Sequence, residues 1–197
     1  MRKNLTLCGF LLVASLCAGE YALAQEMGAG APQPAVNLRA LKSQMEIFQG
    51  LLNRSIQQSF GQPFALLQDA KGTYLPYFGV AFQLEVNLYS LRLITPFDMR
   101  PYTPEEIKKA RDSKLERIRE LRKLLSGLLL EQGAKLDAVP PEQNIAVVVH
   151  LFNLPSEQSE DLPTQLVLET SRRALLESKA QRMTAEDFQN KVTFLAF

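Results

Sequence analysis

The chain has 197 residues, with 22 Lys and Arg against 21 Asp and Glu and a formal net charge of +1. So even a balance lacks the broad basic field of a dedicated nucleic-acid binder. With 46% hydrophobic residues, a chain of this length can bury most of its apolar surface in one compact domain.

The first residues read as an address. Met1-Arg2-Lys3 is a basic start, Leu5 to Ala18 is mostly apolar, and Ala22-Leu23-Ala24 has the A-x-A form of a cleavage site. In that order they describe a secretory signal peptide over residues 1–24, and the apolar run is too short and interrupted to span a membrane comfortably. Lipoprotein processing at Cys17 is disfavoured because Leu16, before it, is bulky. Both cysteines, Cys8 and Cys17, lie inside this leader. The expected mature chain therefore has none, although it enters an oxidising space, periplasmic or extracellular, where disulfides form. The leader carries Arg2, Lys3 and Glu20, so its removal brings the formal charge to zero.

Residues 25–36, rich in Gly, Ala and Pro, read as a flexible tether to a domain over 37–197. Asn37 is a natural N-cap for a first helix, in which Leu38, Leu41, Met45, Phe48, Leu52 and Ile56 recur every three or four residues. Gly61 and Pro63 are its stop signals. The sequon-like Asn53-Arg54-Ser55 falls within this helix and matters only in a eukaryotic secretory pathway. Phe64 to Gln68 then reads as a strand, Asp69 to Gly72 as a tight turn, and the following stretch as a second strand. In that strand Val80, Phe82, Leu84, Val86 and Leu88 share one face, and Ala81, Gln83, Glu85 and Asn87 the other, the pattern of a half-buried antiparallel strand.

Thr103-Pro104-Glu105-Glu106 combines a capping box with proline at the first helical position. The helix it opens should run to about Gln132, with Gly133 as its cap. At about thirty residues it would be roughly 45 Å long and is expected to project in part beyond the domain. Cations such as Lys108, Lys114 and Arg122 surround its apolar stripe, with acids interleaved. After Pro140-Pro141, Ile145 to Asn153 is apolar on both faces, as in a central strand covered on both sides. Thr164 to Glu169 should return beside it, Ser171 to Ser178 and Ala185 to Phe188 should be helical, and Val192 to Phe197 should close the sheet. Arg172 and Arg173 read as a solvated helix start.

This order predicts a two-layer α+β domain with a mainly antiparallel sheet of about five strands and two long amphipathic helices. In order of elements alone it is similar to profilin-like and roadblock-like arrangements, where helices flank a small sheet.

Little in the chain points to a reaction. His150, the only histidine, is the one weak catalytic candidate. It lies in an apolar strand with Val148 and Phe152 on its own face, and no G-x-S-x-G motif supplies a nucleophile. One histidine without cysteine cannot make the usual structural zinc site. The acidic loop Ser156 to Asp161 does not match EF-hand spacing, and no glycine-rich phosphate loop is present. No cofactor or metal is expected. The expected contact residues are Tyr74 and Tyr77, whose rings combine apolar area with a hydrogen-bonding end, and Arg111, Arg119 and Arg122 on the long helix.

The leading expectation is an exported, non-enzymatic protein-interaction module with a protein partner or a second copy of itself. One alternative is a small-ligand protein or hydrolase with a pocket near His150, Tyr74 and Tyr77. The other is a protein of anionic membrane surfaces that uses the basic helix 103–132.

Overall fold

A computed structural model describes residues 36–60, 65–88, 100–154 and 162–197. The expected leader, its cleavage site, all of the tether except Val36, the stop signals Gly61 and Pro63, and the loop 156–161 lie outside these residues. Val36 packs against the core.

Helix α1 spans Leu38–Phe60, and the Ala40 N–H donates to Asn37 Oδ1 at 3.1 Å, so Asn37 caps it as expected. Leu41, Met45, Phe48, Leu52 and Ile56 are its buried stripe. Gly50 sits in the middle of this helix with open space where a Cβ would stand. Gly50→Ala should therefore stabilise the protein by about 0.5–1 kcal/mol, because alanine leaves less unfolded freedom to lose. A thermal unfolding scan reads this as a higher midpoint; a lower one would mean that position 50 is not open.

Strand β1 spans Leu66–Leu75 and β2 Gly79–Val86. The turn expected over Asp69 to Gly72 is not there. β1 runs straight through it, absorbing the misfit in two register shifts between Leu66 and Lys71. The chain reverses instead at Leu75 to Phe78, where the Phe78 N–H donates to the Leu75 carbonyl at 3.2 Å. Pro76 and Tyr77, with φ of +70° at Tyr77, occupy the central positions as in a type II turn. Gly72 is thus a packing glycine: a Cβ there would lie 2.7 Å from Met45 Cε and 2.9 Å from Phe82 Cε1. Its absence lets α1 close on the strand.

Helix α2 spans Pro104–Gln132 and opens with the full capping box. The Glu106 N–H donates to Thr103 Oγ1 at 3.2 Å and the Thr103 N–H to Glu106 Oε2 at 2.8 Å. Its buried positions run from Ala110 to Leu129, so the helix lies along the domain and does not project as expected. Lys114, expected among the solvated cations, is 0% exposed and donates from Nζ to the Phe152 carbonyl at 2.9 Å. Gly133 does not take the left-handed cap conformation. Its φ of −60° and ψ of −34° start a short 3-10 turn, Gly133–Lys135. A Cβ at Gly133 would meet Leu175 Cδ1 at 2.8 Å, so close packing accounts for the glycine.

The remaining elements are β3 (Asn144–Leu151), β4 (Gln165–Ser171), α3 (Arg172–Lys179), α4 (Ala185–Lys191) and β5 (Thr193–Ala196). Ser171 and Thr184 cap the two short helices through their hydroxyls, accepting from the Ala174 and Asp187 N–H groups. Arg172 is not solvated: its guanidinium is buried and donates to the Val139 carbonyl at 2.7 Å and to Asp137 Oδ1 at 3.1 Å. Arg173 is exposed and pairs with Glu142.

Among the described residues five strands form one sheet in the order β1-β2-β3-β4-β5, an α+β arrangement. β2 and β3 are parallel and the other three pairings antiparallel. A parallel pair needs a long crossover, which α2 provides. Residues of α1, α2, α3 and α4 join one buried cluster with Val80, Phe82, Leu84, Val86, Ile145, Val147, Val149, Leu166 and Leu168. The helices therefore pack on one face of the sheet.

Candidate interaction surface on the sheet

Side chains alternate across a strand, so the residues between those core positions stand on the other face. β3 was expected to be covered on both sides. Instead Val149 and Leu151 are buried while His150, between them, is exposed and Phe152 is 39% exposed. The apolar residues that suggested a second cover are Ala146, small enough to be shielded by its neighbours, and Val148, which is half-buried.

Register places the residues of this face in rows across the strands. One row runs Lys71, Gln83, Val148, Val167, Leu195. A second runs Thr73, Ala81, Ala146, Glu169, Thr193. A third joins Glu85, His150 and Gln165 and reaches Phe197, which exchanges backbone hydrogen bonds with Gln165 at 2.9 and 3.1 Å. Leu195 is 50% exposed and Phe197 62%. Valines, alanines and a leucine thus form a shallow apolar middle, bordered by Lys71, Glu85, Glu169 and two threonines. Five strands about 4.8 Å apart, averaging about 25 Å in length, present roughly 600 Å². Specific protein interfaces bury roughly 800 Å² per partner and share this apolar centre and polar border.

Among the described residues His150, Tyr74 and Tyr77, grouped in the small-ligand or hydrolase alternative, do not line one pocket. His150 has Glu85 and Gln165 as its register neighbours, a carboxylate and an amide, with no hydroxyl or thiol. Tyr74 pairs with Val80 in the register of the core face, on the side of the sheet opposite His150. It is half-buried there, and its hydroxyl accepts from Gln143 Nε2 at 3.3 Å. A cavity of about 270 Å³ lies between Tyr74 and Leu38, Met45 and Gln49 of α1; His150 does not line it. Tyr77 is at the hairpin tip, 77% exposed. Among the described residues no three His, Cys, Asp or Glu side chains gather as a metal site would require, and no helix is long and apolar enough to cross a membrane.

Of the three arginines, Arg111 is half-buried, Arg119 pairs with Glu116 one turn earlier, and Arg122 stacks 4.1 Å above the Phe194 ring on β5. The Arg119 hydrogen bond and charge, with a smaller contribution from Lys123, hold the Glu116 carboxyl below its ordinary range. Both partners are more than half exposed, so the pair is easily exchanged for another anion.

Sequence reasoning missed Val148, Phe152, Val167, Leu195 and Phe197 as surface residues. The usable signal was the polar half of β2, Gln83 and Glu85, which already marked one side of the sheet as facing water. Comparison with protein-family models, curated proteins and solved structures finds no match to this chain.

Proposed function

We propose that the protein is an exported, non-enzymatic interaction module that binds another protein with the face of its sheet that the described helices leave uncovered. The observation that carries this reading is the apolar row Val148–Val167–Leu195 on the face opposite the helices. Exposed apolar area arranged contiguously and bordered by polar groups marks contact sites more often than scattered residues do. The reading of export rests on residues 1–24. It requires a mature chain that begins at Gln25, which the intact mass of the protein recovered from its producing cell measures directly.

Site-specific photo-crosslinking in that cell tests the surface. A photoreactive residue at Val148 or Leu195 should give a discrete adduct, and one at Gln58, exposed on the back of α1, should give none. Val167→Asp should then remove the adduct formed from Leu195. An adduct of twice the chain mass would identify the partner as a second copy. No adduct at either sheet position, or equal labelling from Gln58, would overturn the proposal.

A further inference from the structure

On the helix side, at the β5 edge, α2 and the α4–β5 segment enclose a cleft of about 500 Å³, within the range of small-molecule sites. Its lining combines two chemical kinds. Arg119, Arg122 and Lys123 line one wall, and no carboxylate lines the cleft among the described residues. Leu130, Phe188 and Val192 supply an apolar floor, with the Phe188 ring in the hydrophobic core. The glycine at position 127 lies between them, with nothing within 4 Å of where its Cβ would be. Within a helix interior glycine costs roughly 0.5–1 kcal/mol relative to alanine; here it deepens the cleft wall.

From this polarity we infer that the cleft binds a single-chain amphipathic anion, a carboxylate or phosphate carrying an alkyl chain. The anionic head meets Arg119 and Lys123, and the chain lies over Leu130, Phe188 and Val192. Arg122 is held in place by its stacking on Phe194, so its donors reach the head with little further loss of freedom. The exposed Glu116 carboxylate already occupies Arg119, and the incoming head replaces one weak surface pairing with another that also buries apolar area. Inorganic phosphate would leave the floor empty. A bilayer surface is too flat to reach it.

Calorimetric titration of the purified protein with decanoate and with decyl phosphate, each kept below micelle-forming concentrations, tests the inference. Both should bind, and decanol and inorganic phosphate should bind at least about tenfold more weakly, a difference of about 1.4 kcal/mol. Lys123→Glu, a change at an exposed side chain, should weaken decanoate binding by about tenfold or more. Gly127→Leu should fill the cleft and abolish binding while the circular dichroism spectrum is kept. Val148→Asp on the sheet should leave it unchanged, so this site and the proposed protein interface fail independently. Absence of binding to either amphiphile, equal binding of decanol, or indifference to Lys123→Glu would overturn the cleft. Binding to phosphatidylglycerol vesicles without binding to the monomeric amphiphiles would also overturn it, in favour of adsorption through the basic helix.

Discussion

Gly79→Ala is expected to destabilise the protein by about 3–5 kcal/mol, a large fraction of the roughly 5–15 kcal/mol that stabilises a typical domain. Two separate constraints meet at this residue. Its φ is +126°, which an L side chain tolerates poorly. A methyl group there would also overlap the carbonyl oxygen of Asn144, with the Asn144 nitrogen only 2.9 Å away. Asn144 is the first residue of β3 and the parallel partner of Gly79, and its N–H donates to the Phe78 carbonyl at 2.6 Å. The substituted chain would have to separate β2 from β3 where the central pairing begins. Urea unfolding should show the midpoint lowered by at least about 1 M with the slope preserved. A loss below about 1 kcal/mol would mean that the strands do not approach so closely. The opposite sign expected at Gly50 makes the pair a control for the intrinsic cost of glycine.

Phe82→Ala should cost about 3–5 kcal/mol. The side chain is 0% exposed, its ring centroid lies 4.7 Å from that of Phe48 at an interplanar angle of 42°, and its edge fills the space left open by Gly72. Truncation removes the apolar transfer contribution and leaves a cavity that α1 and β1 cannot both collapse into, since each is held by its own ladder of hydrogen bonds. Phe82→Leu should cost less, about 1–2 kcal/mol. A double-mutant cycle with Phe48→Leu should then give a coupling of about 1 kcal/mol, the contribution of the aromatic pair beyond its area. Additive effects of the two substitutions would show that the rings do not interact as described.

The local signals in the chain were legible because they act over a few residues. The Asn37 cap, the Thr103–Glu106 capping box and the 3.6-residue stripe of α1 all fall where the sequence placed them. So does the core face of β2. The hairpin turn was misplaced because Asp69 to Gly72 is good turn chemistry. What overrode it was the need for a side-chain-free residue under Met45, a requirement set by a helix more than twenty residues earlier in the chain. Lys114 and Arg172 looked solvated for a similar reason: the carbonyls that receive them, at Phe152 and Val139, are 38 and 33 residues away in sequence.

By itself, the sequence determined the elements, their order, the amphipathic faces that would form a core, and the near-neutral charge. Which side of the sheet the described helices leave uncovered was decided only by the tertiary structure. Alternation assigns residues to two faces, but nothing local says how many helices will lie on each. Both long helices pack on the Val80–Phe82–Leu84 side, so His150 comes out into solvent in the row with Glu85, and Tyr74 goes under α1. The cleft likewise exists only because α4 and β5 return to the flank of α2 that carries Arg119, Arg122 and Lys123. Contacts between residues so far apart in sequence, such as Arg122 and Phe194, do not leave a period or a motif in the chain.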